Sequence, residues 1–173
     1  KTIAAELYES NDTGIIVIAA HTSQGAKLIR QIRDAGVKNV LVVPHTFDSQ
    51  KFLASFDRYP KEKDRPGFYT DNIMVSSPLI FDTTNDKGQQ FRQKYKKIYK
   101  EEPEWRSAFG YDTAMLLVRA IRETEVRGLS GSLQKDRQKI RDYLAAINSV
   151  DNAIEGVTGL NYFTENGDMP KPV

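Results

Sequence analysis

The sequence contains no cysteine, which excludes disulfide bonds, thiol chemistry and zinc sites built on cysteine. Its longest apolar run, residues 15–20, is far too short to span a bilayer. No charge of one sign dominates either, because 25 basic residues stand against 23 acidic residues. This balance gives no positive case for nucleic acid or for an anionic membrane surface, so we expect no nucleic-acid partner.

The common catalytic signatures are also missing. The chain has no Gly-x-Ser-x-Gly elbow, no Gly-x-Gly-x-x-Gly after a strand and no Gly-x-x-x-x-Gly-Lys-Ser/Thr loop. The stretch 23–27, Ser-Gln-Gly-Ala-Lys, has suitable residue types for a phosphate loop but lacks the glycine spacing. We therefore expect no enzymatic activity and no cofactor, although a triad assembled in space would leave no trace in the spacing.

One strand–helix–strand pattern stands out near the start of the chain. Residues 14–20 and 39–43 are apolar on both faces, which is typical of parallel strands covered by helices. The helix between them is predicted to be capped by Ser23 and to end at Gly36. Because the joints are short, the strands are expected to be parallel with a right-handed crossover. The pattern predicts an α/β fold with a parallel sheet flanked by helices.

The remaining segments predict a helix-rich second half. Asp48 is expected to cap a short helix, residues 57–70 to form a loop, and residues 73–80 to be extended. Helical spacing also predicts helices at residues 1–11, 91–99, 107–126 and 140–147. The inner face of the 107–126 helix is expected to carry Leu117, Val118 and Ile121. The last residues predict short strands and turns.

Each of the only two histidines follows a predicted strand and precedes a threonine. The carboxyl ends of parallel strands lie at one edge of a sheet, where open α/β sheets bind their ligands. Helix N-termini open on the same edge and attract anionic groups. We therefore predict a ligand-binding surface at this edge, formed by His21, Thr22, Ser23, His45 and Thr46.

Other interpretations of these residues remain open. The threonines could simply form turns while the histidines end the strands. A metal site of His21, His45 and Asp48 is conceivable, but two histidines are fewer than catalytic zinc normally uses, and we expect no metal. An α/β enzyme that uses His21 and His45 is the alternative from a different functional class.

A basic run with interleaved aromatic residues covers residues 92–100. Such a helix could bind nucleic acid, but its apolar residues fall at the spacing of a core-facing stripe, and acidic residues follow at once. Lysines near a helix C-terminus also suit the helix dipole. A solvated helix face is the preferred interpretation.

The second half resembles the leucine/isoleucine/valine-binding branch of the type I periplasmic solute-binding proteins. Three pieces carry the resemblance: Phe91-x3-Tyr95-x3-Tyr99-x3-Pro103, then Ala108-Phe-Gly110-Tyr111-Asp112-Thr-Ala114-x-Leu116-Leu117-x2-Ala120-Ile121, then Gly156-x-Thr158-Gly159-x3-Phe163-x3-Gly167-Asp168. Each piece alone is weak, and the set is characteristic of the branch. The strand–helix–strand unit with its His-Thr pairs resembles the second lobe of that family.

The resemblance implies a three-layer αβα protein of two lobes that traps a ligand between them, of which this chain holds the back half. It places residues 1–75 in the second lobe and residues 76–86 in a hinge crossing. It assigns residues 87–150 to a helix-rich return to the first lobe and residues 151–173 to C-terminal strands and turns. Family members are about twice this length, so the chain is expected to be a C-terminal portion.

The resemblance also implies the function of an extracytoplasmic solute-binding component of an ABC-type uptake system, with a membrane permease as partner. The ligand-sensing ectodomain of a membrane signalling protein is the alternative on the same fold. Amino-acid-binding members commonly place an acidic residue after the second strand, where this chain has His45. This difference counts against an α-amino acid and favours a neutral or anionic ligand such as a carboxylate, with an amino-acid-like molecule kept as the alternative.

Overall fold

The computed structural model describes residues 2–10 and 14–171. The predicted first helix and C-terminal tail extend into residues 1, 11 and 172–173, which lie outside the described residues. The chain forms two compact units, Lys1–Pro78 and Leu79–Val173.

The first unit alternates strands and helices. Its elements are α1 Ile3–Glu9, β1 Ile16–Val17, α2 Thr22–Asp34, β2 Leu41–Val43, a 3-10 turn His45–Phe47, α3 Gln50–Ala54, α4 Pro60–Asp64 and β3 Ile73–Val75. The strands form a parallel sheet in the order β1, β2, β3. This confirms the α/β class and the predicted strand–helix–strand unit. The strands are shorter than predicted, since only Ile16–Val17 of the run 14–20 pairs as a strand at the sheet's edge.

Side chains of this sheet point alternately to its two faces. On one face, Leu41 is completely buried in the same apolar cluster as Ile29 of α2. On the other face, Val17, Val42 and Met74 lie side by side in register. Of these three, Val17 is 73% and Met74 is 61% exposed. The helices of this unit therefore cover one face of the sheet.

Two helices begin at residues other than those predicted. The N-cap of α2 is His21, and Ser23 lies inside the first turn. The N-cap of α3 is Ser49, whose hydroxyl accepts the N–H of Phe52 at 3.2 Å. The predicted caps, Ser23 and Asp48, are therefore wrong, because the cap position lies two residues earlier in α2 and one residue later in α3.

The segment predicted as a loop, residues 57–70, contains the one-turn helix α4. Pro60 begins it, because its fixed φ suits the first helical position. The Glu62 carboxylate then accepts the N–H groups of Gly67 and Tyr69 at 2.5 and 3.1 Å. These bonds close the segment into a compact structure that the polar composition alone did not predict.

The second unit is mainly helical. Its elements are a 3-10 turn Phe81–Thr83, α5 Asp86–Tyr99, α6 Trp105–Glu123, α7 Leu133–Ala146, a 3-10 turn Val150–Asn152, β4 Ile154–Gly156 and β5 Gly159–Asn161. The two strands pair in an antiparallel hairpin. The three helices predicted in this half and the short strands of the tail are thereby confirmed.

The buried face of α6 is not the predicted one. Its predicted inner residues are each more than a third exposed: Leu117, Val118 and Ile121. The buried residues instead recur at every fourth position: Ala108, Asp112, Leu116 and Ala120. The prediction was wrong because it followed the large apolar side chains, whereas this helix buries two alanines and a carboxylate.

Asp112 connects α6 to the turn between β4 and β5. Its carboxylate is 4% exposed and accepts the N–H groups of Val157 and Thr158, both at 2.8 Å, and the Thr158 hydroxyl at 2.6 Å. A Cβ on Gly156 would lie 2.5 Å from both carboxylate oxygens, so only glycine fits there. The buried charge is tolerated because it is hydrogen-bonded on both oxygens.

Candidate functional site

Both histidine–threonine pairs lie at the carboxyl edge of the sheet in the first unit. His21, Thr22 and Ser23 follow β1, and His45 and Thr46 follow β2. The residues His21, Ser23 and His45 are exposed, whereas the two threonines are half-buried. The structure thus brings the five predicted residues to one edge, and their contact with a ligand stays a prediction.

A direct hydrogen bond joins the two segments. The Thr22 hydroxyl donates to the backbone carbonyl of Thr46 at 3.1 Å. Because this hydroxyl has a single proton, its oxygen can then only accept bonds from a ligand. The Thr46 hydroxyl oxygen is buried and has no hydrogen-bond partner among the described residues. The loops after β1 and β2 therefore form one connected surface.

Helix α2 also begins at this edge. Its N-cap, His21, makes no side-chain capping bond. The N–H groups in the first turn of a helix have no partner within the helix. Together with the helix dipole they favour a negatively charged or strongly accepting group at this position.

The described residues offer no metal site. Among residues 2–10 and 14–171, no group of three or more histidine, aspartate or glutamate side chains is placed to hold a metal ion. Asp48, considered above as a third ligand, instead accepts a hydrogen bond from the Ser77 hydroxyl at 2.5 Å. In the same part of the chain, no helix is long and apolar enough to cross a bilayer.

The comparison with known families covers nearly the whole chain. The family described as periplasmic binding protein matches residues 5–173. The chain belongs to the periplasmic binding protein family. The resemblance seen in the helical motifs and the glycine-rich tail is thereby confirmed. No match is found among curated proteins.

Two solved structures illustrate the fold of this periplasmic binding protein chain. LivJ of Streptococcus pneumoniae, a branched-chain amino acid transporter substrate-binding protein in complex with isoleucine, superposes with a TM-score of 0.72 at 22% identity. The leucine-binding protein LivK of Thermotoga maritima gives 0.69 at 21% identity. These structures confirm the fold class, a type I periplasmic-binding-protein fold with a parallel sheet and helices.

The alignments cover 98% and 91% of this chain but only 43% of LivJ and 39% of LivK. The chain therefore spans about two fifths of the length of these structures. The assignment of residues 1–75 to a second lobe and of residues 76–86 to a hinge stays a prediction.

A third loop, which is not among the site residues predicted from the sequence, lies at the same edge. Ser77 follows β3, and its hydroxyl donates to Asp48 at 2.5 Å. The family resemblance places residues 76–86 in a hinge crossing, which gives no reason to expect site residues there. A signal was nevertheless present, because two serines, Ser76 and Ser77, interrupt the apolar residues of the predicted extended run 73–80.

The second unit contains a separate apolar groove of about 950 Å³ along α5 and α6. Phe91, Tyr95 and Tyr111 are among its lining residues. Ile98 and Tyr99, expected on the core face of α5, also line it and are 68% and 60% exposed. Nothing in the described residues shows what covers this apolar surface, so we do not assign it a ligand.

Proposed function

We propose that this chain is part of an extracytoplasmic solute-binding protein that works with the permease of an ABC-type uptake system. Membership of the periplasmic binding protein family supports the proposal. So does the likeness in fold to LivJ, a transporter substrate-binding protein. No observation on the described residues favours the alternative role in signalling. Extracytoplasmic location can be tested by fractionating cells that produce the native protein.

The ligand is proposed to bind at the carboxyl edge of the sheet in the first unit. The residues proposed to contact it are His21, Thr22, Ser23, His45 and Thr46. The observation that carries this proposal is the hydrogen bond from Thr22 to Thr46, which joins two polar loops into one surface. Asp48 and Ser77 extend the surface along the same edge.

The chemistry of this edge favours a ligand that is neutral or carries a carboxylate. Two imidazoles and the uncapped N-terminus of α2 can donate hydrogen bonds to it. LivJ binds isoleucine, and a zwitterionic amino acid also has a carboxylate. His45 stands at the position where the family resemblance implies an acidic residue in amino-acid-binding members, and this difference favours a plain carboxylate over an amino acid.

The proposed function requires binding and no catalysis. The two hydroxyls that follow His21 in the sequence donate elsewhere: Thr22 to a backbone carbonyl, and Ser23 to Gln24 at 2.7 Å. Neither hydroxyl therefore donates its proton to a histidine, as an activated nucleophile would. Ligand binding can transmit a signal to a permease by shifting the population of conformations.

A thermal-shift screen of the intact protein that carries this chain tests the proposal. The panel contains L-isoleucine, L-leucine, succinate, benzoate, acetamide and glucose, each with and without zinc. A ligand at 100 times its dissociation constant stabilises the folded state by about 2.7 kcal/mol, which raises the melting temperature by several degrees. We expect a metal-independent shift with one chemical class. A shift with zinc alone, or the absence of a shift with every compound of the panel, would contradict the proposed function.

The His45→Ala variant tests the chemical class of the ligand. If His45 donates to a carboxylate, we expect the affinity for succinate or benzoate to fall about tenfold, which corresponds to ~1.4 kcal/mol. Isothermal titration calorimetry measures the change, and Lys51→Ala, an exposed change on α3, is the control. Tight binding of L-leucine that is unaffected by His45→Ala would rule out the anionic-ligand interpretation.

A further inference from the structure

The two ligand-contacting segments come from loops after separate strands. Hydrogen bonds of the sheet fix β1 and β2 relative to each other, but both strands end before the chain reaches the Thr22 and Thr46 segments. Contacts between the loops themselves therefore help to set their spacing at the edge. Two such contacts are the Thr22–Thr46 hydrogen bond and the packing of Phe47 against Gly25.

Gly25 lies in the first turns of α2, directly below the edge, and it is buried. A Cβ at this position would lie 2.7 Å from Cε1 of the Phe47 ring and closer still to Cζ. No real side chain tolerates such a contact. The absence of a side chain at Gly25 is thus what lets the His45–Phe47 turn lie directly on α2.

The Phe47 ring cannot easily move aside. It is 1% exposed and packs edge-on against Phe52, with ring centroids 5.1 Å apart. Phe52 in turn packs on Phe56, which is equally buried. Because this interior is closely packed, displacement of the ring would be passed to the backbone of the turn that carries His45 and Thr46.

Helix propensity makes the choice of glycine at this position informative. A glycine within a helix destabilises it by up to about 1 kcal/mol relative to alanine. Gly110 in α6 is the opposite case, because a Cβ there would meet nothing within 4 Å. Local helix stability therefore favours alanine at Gly25, and only the approach of Phe47 opposes it.

We infer that the Gly25–Phe47 contact is a spacer that positions the Thr22 and Thr46 segments for the ligand and so determines affinity. The inference rests on the proposed function, since it concerns the same edge. Gly25 and Phe47 act as positioning residues and do not touch the ligand. An added methyl group at Gly25 would push the turn away and lengthen the Thr22–Thr46 hydrogen bond.

The test uses Gly25→Ala in the intact protein, with Gly25→Ala/Phe47→Leu as the rescue and Gly110→Ala as the matched control. Affinities for succinate and for L-isoleucine are measured by calorimetry. We expect Gly25→Ala to weaken binding of the preferred probe about tenfold, because binding groups must be held to within roughly 0.5 Å. The smaller leucine should restore most of the affinity, and Gly110→Ala should leave it unchanged.

Ring signals of His21 and His45 in nuclear magnetic resonance spectra provide a second measurement that needs no ligand. They are assigned with the His21→Gln and His45→Gln variants. We expect the His45 signals to move in Gly25→Ala and to return in the double variant. Unchanged His45 signals together with unchanged affinity would overturn the inference. If no probe binds the wild type, the proposed function fails, while the spectra still decide whether Gly25 spaces the loops.

Discussion

Replacing Asp112 by alanine is expected to destabilise the second unit by about 3–5 kcal/mol. The change removes the acceptor for the N–H groups of Val157 and Thr158 and for the Thr158 hydroxyl, all of which are buried. Each buried donor left without a partner lowers the free energy of unfolding by about 1–3 kcal/mol. The nearby Lys171, whose pKa is lowered by burial and raised in part by Asp112, would also lose a favourable charge.

Two measurements on the intact protein check this result. Thermal denaturation should show a melting temperature lower by on the order of 10 °C. Hydrogen exchange should show faster exchange of the Val157 and Thr158 amides, because both donate to the carboxylate. Amides that keep their protection in the variant would contradict the role assigned to Asp112.

Asp142→Ala is the matched control, since Asp142 is an exposed aspartate on α7 that contacts Arg141 and Gln138. We expect it to change stability by less than about 0.5 kcal/mol. Asp112→Asn should have an intermediate effect. The amide keeps the size of the side chain but replaces one acceptor oxygen by an NH₂ group that faces N–H donors.

Asp112 also shows why the family resemblance was stronger as a set than in its pieces. Tyr111-Asp112 and Gly156-x-Thr158-Gly159 are separate motifs in the sequence, about 45 residues apart. In the structure they form one unit, in which the carboxylate of the first motif binds the backbone of the second. Gly156 belongs to the same unit, because a Cβ there would collide with the carboxylate.

The order of strands and helices was predictable because it depends on local patterns. Apolar runs without polar alternation indicated the parallel strands, and spacing of three and four indicated the helices. The exact helix starts were not predictable where several capping residues are adjacent. Asp48 and Ser49 are equally suitable caps by type, and a bond from Ser77, 29 residues away, engages Asp48 instead.

The location of the candidate site was predictable in the same way, because the carboxyl ends of parallel strands share an edge. Its internal organisation was not. The Thr22–Thr46 bond and the Gly25–Phe47 contact join residues more than 20 positions apart, and no local pattern indicates them. The Ser77 loop was not predicted as part of the site because residues 76–86, which directly follow the third strand, are those that the family resemblance places in a hinge crossing.

At the opposite end of the same sheet, Arg33 is expected to determine stability without affecting the ligand. Its guanidinium, 6% exposed, donates to the carbonyls of Val37 and Asn39, both at 2.9 Å, and to that of Asp71 at 2.8 Å. These carbonyls precede β2 and β3. Burial lowers the pKa of Arg33, and the charge of Asp71 partly offsets this effect. A guanidinium group stays protonated at neutral pH in proteins.

The Arg33→Met variant is expected to lose about 2–4 kcal/mol of stability, because three carbonyls lose a charged donor. Arg33→Lys should recover little of this stability. One ammonium group cannot reach both the carbonyls that precede β2 and the carbonyl that precedes β3, which the planar guanidinium joins. Lys27→Met, an exposed change on the same helix, is the control. Denaturant unfolding measures stability, and exchange of the Leu41 amide, which donates to Asn72 O, reports on the junction of β2 and β3.

Ligand affinity separates this effect from that of Gly25→Ala. Arg33 binds the amino ends of the strands, whereas the candidate site lies at their carboxyl ends, so the folded fraction of Arg33→Met should bind the ligand as the wild type does. Gly25→Ala should weaken binding while the Leu41 amide keeps its protection. If Arg33→Met weakened ligand affinity as strongly as Gly25→Ala, the two ends of the sheet would be coupled. The edge could then not be treated as a site positioned by its own loops.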